Sequence, residues 1–338
     1  MGWLNLLVRS SRIAVVSLGS TSVHFTVARP SSGHGLVPVT DASVLFELGS
    51  TVDANGLVPP ERLAELHRVL SLYVIAAQGM HIAPITVVAT EPLRRASNAG
   101  EVLAAVATQT GGPVHVLRHE EEALLSLFAV LGGRSPRVET LVLDIGGGSS
   151  EYAIARPDGP TRLDAVRTGA ARLTDAWIRH DPPKREEMEA AFRTARGEVA
   201  GTVQGAPRAA IMVGGTATNL LRLVAGDARW RSLTRARLHA AIAMLELTTT
   251  DEITRRSPIR PQRARILPGG AALAAAFLDR YGLDRATVSQ ASIREGVILA
   301  IARAGAGWRE RLPELVGSPG DGRDTSIEAG ASNVASGA

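Results

Sequence analysis

The sequence contains no cysteine, few aromatic residues and no long apolar run. The lack of cysteine excludes disulfide bonds and thiolate metal ligands or nucleophiles, and it fits a reducing cytoplasm. Aromatic residues make up 4% of the chain and are not interleaved with basic residues, which argues against nucleic-acid binding by base stacking. No apolar run is long enough for a membrane span, and the amino terminus lacks the pattern of a signal peptide. We therefore expect a cytoplasmic protein with neither membrane nor nucleic acid as a partner.

Lysine is also scarce: Lys184 is the single lysine, so arginine supplies nearly all the positive charge of a chain whose net charge is +4. This bias reflects either the base composition of the genome or a phosphate-rich ligand, because the guanidinium fork binds oxyanions two at a time. The P-loop pattern, which requires a lysine, is absent, and no GxGxxG opens a helix after a strand. These absences argue against a P-loop kinase and a dinucleotide oxidoreductase.

Strand-like and helix-like segments alternate along the 338 residues, and hydrophobic residues form 45% of the chain. This alternation predicts an α/β fold with largely parallel sheets covered by helices. The length allows two domains, which we place at residues 1–132 and 133–315. Residues 316–338 are rich in Gly, Ser and Ala without periodicity, and we predict a disordered tail.

An internal repeat links the two halves. Residues 15–28, VVSLGSTSVHFTVA, align without gaps to residues 142–155, VLDIGGGSSEYAIA. The aligned pairs include Ser17 with Asp144, Gly19 with Gly146, Ser20 with Gly147, and His24 with Glu151. Any two β-hairpins share some of this pattern, but each copy also opens a similar series of strands and helices. The repeat therefore favours two related domains that face each other across a cleft.

The glycine-rich turn of the second copy is suited to binding phosphate. Without Cβ atoms, an anion can closely approach the backbone N–H groups of such a turn. We therefore predict phosphate contacts at Gly146, Gly147, Gly148 and Ser149, and at Gly19 and Ser20 of the first copy. An ordinary polar hairpin turn is the alternative interpretation.

Two carboxylates, Asp144 and Glu151, flank this turn. They would repel phosphate unless a hard cation lay between them, and Mg²⁺ takes one or two carboxylates together with phosphate oxygens. We therefore predict that Asp144 and Glu151 bind Mg²⁺.

Three further segments carry candidate site residues. Residues 208–221 form a strand followed by Gly214, Gly215 and Thr216 at the start of a helix, which is a natural anion site. Arg94 lies just past a strand end, where ligands bind in open α/β sheets. The run Glu120–Glu122 opens a helix, and its charges are also explained by the helix dipole alone.

In this order, the segments resemble the Ppx/GppA phosphatase family of exopolyphosphatases and guanosine pentaphosphate phosphohydrolases. The resemblance runs from about residue 12 to residue 310. It rests on the segments GSTSVHF, ATEPLRRASN, HEEEALL, LDIGGGSSE, GAARLTDAWIRHDPP, VGGTATNL, RILPGGAAL and SIREGVIL. The family belongs to the actin, sugar kinase and Hsp70 superfamily, so the resemblance implies two actin-like, RNase H-like domains around a central cleft. It also implies that the last helix returns to the first domain.

The resemblance implies hydrolysis of a terminal phosphoanhydride bond with Mg²⁺ as cofactor. In the family, a glutamate of the EEA segment acts as the general base. Its distance to the Asp of the glycine motif matches Glu122, with Glu121 as the alternative. The metal-binding carboxylates match Asp144 and Glu151, and the phosphate-binding arginine matches Arg94.

The sequence departs from the family in its first turn, which usually reads Asp-x-Gly-Ser-Asn-Ser. Here Ser17 replaces the Asp and Thr21 replaces the Asn. Serine is uncharged and a poor metal ligand, so this departure bears on metal affinity and on turnover.

Three functions stay open at this point. The first is an exopolyphosphatase that releases terminal phosphate from linear polyphosphate. The second is a 5′-phosphate hydrolase of guanosine penta- or tetraphosphate, which would use the same motifs. The third, motivated by Ser17, is a weakly active or non-catalytic regulator that binds polyphosphate or an alarmone. The pattern also leaves a homodimer open.

Overall fold

The computed structural model describes residues 12–31, 35–159, 161–225 and 231–317. Nearly all of the predicted tail, 316–338, lies outside these residues. The described chain contains two β-sheets, each covered by helices. None of the helices in these ranges combines the length and the apolar character needed to cross a bilayer.

The first sheet has five strands in the order β3-β2-β1-β4-β5. The strands are β1 (Ile13–Leu18), β2 (Ser22–Pro30), β3 (Leu36–Leu45), β4 (Thr86–Ala89) and β5 (Val114–Val116). Its helices are α1 (Leu48–Asn55), α2 (Pro60–Gly79), α3 (Glu91–Arg95) and α4 (Ala99–Thr110). The strands form because they are short apolar runs bounded by turn residues, and β1 and β4 are almost entirely buried.

The second sheet has six strands in the order β10-β11-β9-β6-β7-β8. The strands are β6 (Thr140–Ile145), β7 (Ser150–Ala155), β8 (Arg162–Val166), β9 (Ala209–Val213), β10 (Ser232–Thr234) and β11 (Arg285–Val288). The remaining α-helices are α5 (His119–Leu131), α6 (Ala170–Trp177), α7 (Arg185–Ala200), α8 (Gly214–Val224), α9 (Arg235–Leu247), α10 (Thr250–Arg256), α11 (Pro261–Arg265), α12 (Leu267–Arg280), α13 (Ile293–Ala304) and α14 (Leu312–Gly317). A short 3₁₀ helix spans Gly305–Gly307.

The prediction of largely parallel sheets was wrong, because both sheets are mixed. Strand β2 is antiparallel to both β1 and β3, whereas β4 is parallel to both β1 and β5. In the second sheet, β7 is antiparallel to both β6 and β8, and β9 is parallel to both β6 and β11. Strand β10 is antiparallel to β11. Helices α3 and α4 are separated at residues 96–98, where Ala96 is extended.

The internal repeat is visible in the strand register. In the first hairpin Ser17 lies opposite His24, and in the second Asp144 lies opposite Glu151. The turns close in the same way, because the N–H of Gly19 donates to Ser22 and the N–H of Gly146 donates to Ser149, both at 3.0 Å. The two hairpins are therefore equivalent structures with different residues at the functional positions.

Helix α13 connects the two halves. It packs against α5 and against strands β1 and β2 of the first sheet. The approach is close: a Cβ atom on Gly296 would lie 2.2 Å from the carbonyl oxygen of Leu125. Glycine is therefore required at this crossing, which holds α13 against α5 and the first sheet.

Candidate active site

A cleft of about 450 Å³ opens between the two hairpins. Strands β1, β2 and β3 line one wall, and the turn after β6 and the start of α8 line the other. Residues 258–263 and the start of α13 complete the lining of the cleft. Because equivalent turns meet here from both halves, the cleft is the place where backbone donors from two glycine turns converge.

The two turns approach each other too closely for side chains on the second one. A Cβ atom on Gly147 would lie 2.4 Å from Thr21 Oγ1, and one on Gly148 would lie 2.8 Å from Ser20 Oγ. Thr21 Oγ1 is buried and has no hydrogen-bond partner among the described residues. A buried hydroxyl is costly unless it is paired, so Thr21 is poised to bond a ligand between the turns.

Substitution of Gly147 by Ala should therefore push the turns apart. We expect kcat/KM to fall on the order of 10- to 100-fold, because small displacements of a reacting group cost that much. Gly100→Ala is the matched control, since a Cβ on this helical glycine meets nothing within 4 Å. Thermal unfolding of both variants separates the effects: a Gly147→Ala protein that loses stability but retains its kcat/KM would show that the glycine serves only the turn.

The acidic end of the cleft brings three carboxylates together: Glu122, Asp144 and Glu151. Burial, and then the charge of Glu151, raise the pKa of Asp144 to about 7. The same two causes raise the pKa of Glu122 well above that of an ordinary glutamate. The carboxylates therefore repel one another, and burial together with this repulsion favours the protonated forms of Glu122 and Asp144.

Arg94 and His119, which are outside the cleft lining, connect the carboxylates of Glu122 and Glu151. Arg94 forms a buried salt bridge with Glu122 and donates to the carbonyl of Leu117 at 2.5 Å. Its other terminal nitrogen lies 3.0 Å from Nδ1 of His119, which in turn lies 2.8 Å from Glu151 Oε1. Arg94 does not line the cleft, so the structure places it as a partner of Glu122, whereas the sequence predicts a phosphate contact.

The basic end of the cleft is formed by three arginines that sequence analysis missed: Arg260, Arg263 and Arg294. Arg263 donates to Ser22 Oγ at 2.7 Å, and Arg294 lies 2.9 Å from Nδ1 of His24. Burial, and then Arg260 and Arg294, lower the pKa of Arg263 to about 10. Burial and these arginines also lower the pKa of His24 to about 2. Crowded buried cations without enough anionic partners form an anion site.

The other predicted residues divide into two groups. Gly19, Ser20, Gly146, Gly147, Gly148, Ser149, Gly214 and Gly215 line the cleft. Glu121 and Thr216 point elsewhere: the Glu121 carboxylate accepts from Arg309 at 2.7 Å and from the backbone N–H of Arg118, and the Thr216 hydroxyl donates to the carbonyl of Ile145 at 2.7 Å. The structure thus separates Glu122, which lines the cleft, from Glu121, which caps its helix.

The sequence profile of the Ppx/GppA phosphatase family matches residues 26–304. The chain belongs to this family. Exopolyphosphatase 1 of Mycobacterium tuberculosis is 28% identical over 303 residues, which cover 85% of this chain and 87% of the relative. Exopolyphosphatase 2 of the same organism is 28% identical over 316 residues, covering 86% and 99%. As a member of the Ppx/GppA family, the protein is a hydrolase of phosphoanhydride bonds.

Solved structures of the family share this fold. The Aquifex aeolicus Ppx/GppA protein superposes with a TM-score of 0.75 at 27% identity, covering 87% of this chain and 98% of that one. An exopolyphosphatase from Cytophaga hutchinsonii gives a TM-score of 0.76 at 18% identity, covering 87% and 98%. The α/β fold class expected from the sequence is confirmed, and the Aquifex aeolicus Ppx/GppA structure shares the fold.

The Ppx/GppA motif has serine at position 17 in this chain, and the structure shows where it lies. Ser17 lines the cleft opposite His24, at the position that corresponds to Asp144 in the second hairpin. The carboxylates of the cleft are thus concentrated on the second hairpin and on α5. Asp144 and Glu151 present carboxylate oxygens to the cleft, and hard oxygen donors of this type suit Mg²⁺.

Proposed function

We propose that the protein is an exopolyphosphatase, which releases terminal phosphate from linear polyphosphate. The observation that carries the proposal is the division of the cleft into a basic end, at Arg260, Arg263 and Arg294, and an acidic end, at Glu122, Asp144 and Glu151. A polyanionic chain would be held by the arginines and would present its terminal group to the carboxylates. The names of the two mycobacterial relatives support the same activity.

The contacts around Glu122 support its role as the general base. Its carboxylate faces the cleft, and the salt bridge to Arg94 fixes its orientation. Its raised pKa makes it a better proton acceptor than an ordinary glutamate, so it would take a proton from the attacking water. A bound Mg²⁺, held by Asp144 and Glu151, would polarise the phosphoryl oxygens.

Backbone donors and Thr21 would bind the terminal phosphoryl group. Gly147 and Gly148 expose their backbone to the cleft, and the unpaired Thr21 hydroxyl lies against the same turn. Fixed donors around developing charge are the usual source of phosphoryl-transfer catalysis.

Hydrolysis of guanosine penta- or tetraphosphate uses the same chemistry, but the cleft lining favours polyphosphate. Within the described residues, no Phe, Tyr or Trp lines the cleft on which a guanine ring would stack. The lining is dominated by Gly, Ser, Thr and charged side chains. A substrate made only of phosphate groups matches this surface more completely than a nucleotide.

The proposed function is tested by phosphate release from long-chain polyphosphate and from pppGpp, side by side, with and without Mg²⁺. We expect Mg²⁺-dependent release from polyphosphate and a much lower kcat/KM for pppGpp. Faster hydrolysis of pppGpp would reverse the substrate assignment. Tight binding of polyphosphate without turnover would favour the third function, a non-catalytic regulator, which the serine at position 17 motivates.

Substitution of Ser17 by Asp tests the departure from the family motif. A carboxylate here would lie across the strand pair from His24, beside the charges of Arg263 and Arg294. We expect it to pair with these cations, which would raise the KM for polyphosphate with little change in the Mg²⁺ requirement. Ser17→Ala is the control without charge. A lower Mg²⁺ requirement and a higher kcat would show instead that the missing carboxylate limits metal binding.

A further inference from the structure

Glu91 is a buried carboxylate that the proposed reaction does not use. It is the first residue of α3, it is 5% exposed, and it lies outside the lining of the cleft. Burial by itself would raise the pKa of Glu91, but hydrogen bonds from Arg95 and Arg172 outweigh it and lower the pKa. The carboxylate is therefore ionised at neutral pH, and a buried charge requires partners that stay in place.

The two arginine partners of Glu91 come from different halves of the protein. Arg95 lies on α3 itself, in the first half, whereas Arg172 lies on α6, in the second half. The Arg172 guanidinium donates to Glu91 Oε1 at 2.7 Å. Asp53 of α1 lies 2.9 Å from Arg95 and 3.6 Å from Arg172. Of these two cations, Arg172 is thus the one whose contact with Glu91 crosses between the halves.

The backbone of Arg172 also contacts the second glycine turn. The backbone N–H groups of Ala170, Ala171 and Arg172 donate to carbonyl oxygens of this turn at 2.8, 3.0 and 3.1 Å. Gly146 accepts the first of these bonds, and Gly147 accepts the other two. One residue therefore binds the second turn through its backbone and the first half through its side chain.

Glu91 in turn packs against both glycine turns. The Ser20 hydroxyl of the first turn lies 3.5 Å from Glu91 Oε2, and a Cβ atom on Gly148 would lie 2.6 Å from the same oxygen. A continuous series of contacts thus runs from Gly147 through Arg172 and Glu91 to Ser20. Because every member is bonded or closely packed, a displacement of Arg172 would change the distance between the turns.

We propose that Arg172 and Glu91 are positioning residues, whose ion pair fixes the separation of the two glycine turns and so the width of the site for the terminal phosphoryl group. The inference rests on the proposed function for the identity of that group. Another contact between the halves, from Arg263 to Ser22, lies in the cleft lining, where a bound anion would compete for it. Glu91 and Arg172 lie outside that lining, so their pair stays intact when an anion binds.

The kinetic test compares Arg172→Gln with the matched control Arg95→Gln. Each substitution removes one charged hydrogen bond to Glu91, but Arg95 makes its contact within the first half. We expect Arg172→Gln to lower kcat on polyphosphate at least about tenfold, because small displacements of reacting groups are costly. The KM should change little, since the arginines of the basic end are retained. Arg95→Gln should lower Tm and keep most of its kcat, and Arg172→Lys, which retains the charge, should recover most of the loss.

The separation of the halves is measured without substrate. Because the chain has no cysteine, spin labels can be attached through Leu72→Cys on α2 and Leu247→Cys on α9, two positions that are 65% and 81% exposed. Double electron–electron resonance then gives the distribution of distances between the labels. We expect this distribution to broaden in Arg172→Gln and in Glu91→Gln, and to match the parent in Arg95→Gln. The double variant Glu91→Gln/Arg172→Gln should lose no more kcat than either single variant, because residues that act as one pair are not additive.

The proposal is overturned if Arg172→Gln retains the distance distribution of the parent, or if the losses of kcat in Glu91→Gln and Arg172→Gln add. Equal losses of kcat in Arg95→Gln and Arg172→Gln would also overturn it, since the ion pairs would then serve folding alone. A parent that does not hydrolyse polyphosphate would refute the proposed function. The distance distributions would still decide whether the pair fixes the two halves against each other.

Discussion

Replacement of Glu122 by Gln should abolish most phosphate release while leaving the fold intact. The change keeps the volume of the side chain and removes its ability to accept a proton. General-base catalysis contributes roughly 10²- to 10⁴-fold, and we expect kcat to fall by that amount. The affinity for polyphosphate should change little, because the arginines lie at the other end of the cleft.

The neighbouring glutamate provides the control. Burial alone would raise the pKa of Glu121, but the hydrogen bonds from Arg309 and from the backbone N–H of Arg118 outweigh it and lower the pKa. The folded state therefore stabilises the charged carboxylate, and this stability is present above the unfolded pKa and is lost as the pH falls through the folded pKa. We expect Glu121→Gln to lower Tm at neutral pH and to retain most of kcat. The opposite pattern would assign the base to Glu121.

Replacement of Arg263 by Gln should raise the KM for polyphosphate by roughly 10- to 100-fold. Hydrogen bonds to charged groups contribute about 1.5–3 kcal/mol, and 1.4 kcal/mol corresponds to a factor of ten. Arg263 is crowded by Arg260 and Arg294, so its charge is incompletely paired in the free protein and available to an anion. The loss should shrink as salt is added, because salt screens the attraction in the parent.

Arg265→Gln is the matched control for this effect. It lies on the same short helix, but its guanidinium donates to Asp175 at 2.6 Å and is 46% exposed. We expect the KM of Arg265→Gln to stay close to that of the parent. If both variants lose affinity to the same extent, the effect reflects the net charge of the region and Arg263 is not a specific ligand.

The sequence predicted the hairpins and the acidic end of the cleft because their signals are local. A strand, a glycine turn and a second strand lie within about a dozen residues, and the repeat places Ser17 and Asp144 at equivalent positions. The register confirms that equivalence. The preference for Glu122 over Glu121 came from the spacing in the family motif; the structure separates the two because successive residues on a helix face different directions.

The basic end could not be predicted in the same way. Arg263 contacts Ser22, which is 241 residues away in the sequence, and the chain has many arginines that share its local pattern. The high frequency of arginine between residues 255 and 265 is the one feature of the sequence that indicates the basic end of the cleft. The third strands of the two antiparallel units, β3 and β8, were missed. Both lie at the edge of a sheet; β3 has no buried residue and includes Pro38, and β8 is only five residues long, so neither gives a strong strand signal.

The position of α13 has a consequence for synthesis of the protein. Val15, Val88 and Leu125 are fully buried in a cluster that includes Val297 and Ile298 of this helix, which is synthesised after all the described strands of the two sheets. Until then, the residues that the first sheet and α5 contribute to the cluster stay exposed, and exposed apolar surface promotes misassembly. Arg294, at the start of the same helix, reaches His24 and Asp41 only once the helix has docked. A nascent chain would thus complete the basic end of the cleft and cover this cluster in one late step, so a chain that stops before α13 would lack Arg294 and leave the cluster exposed.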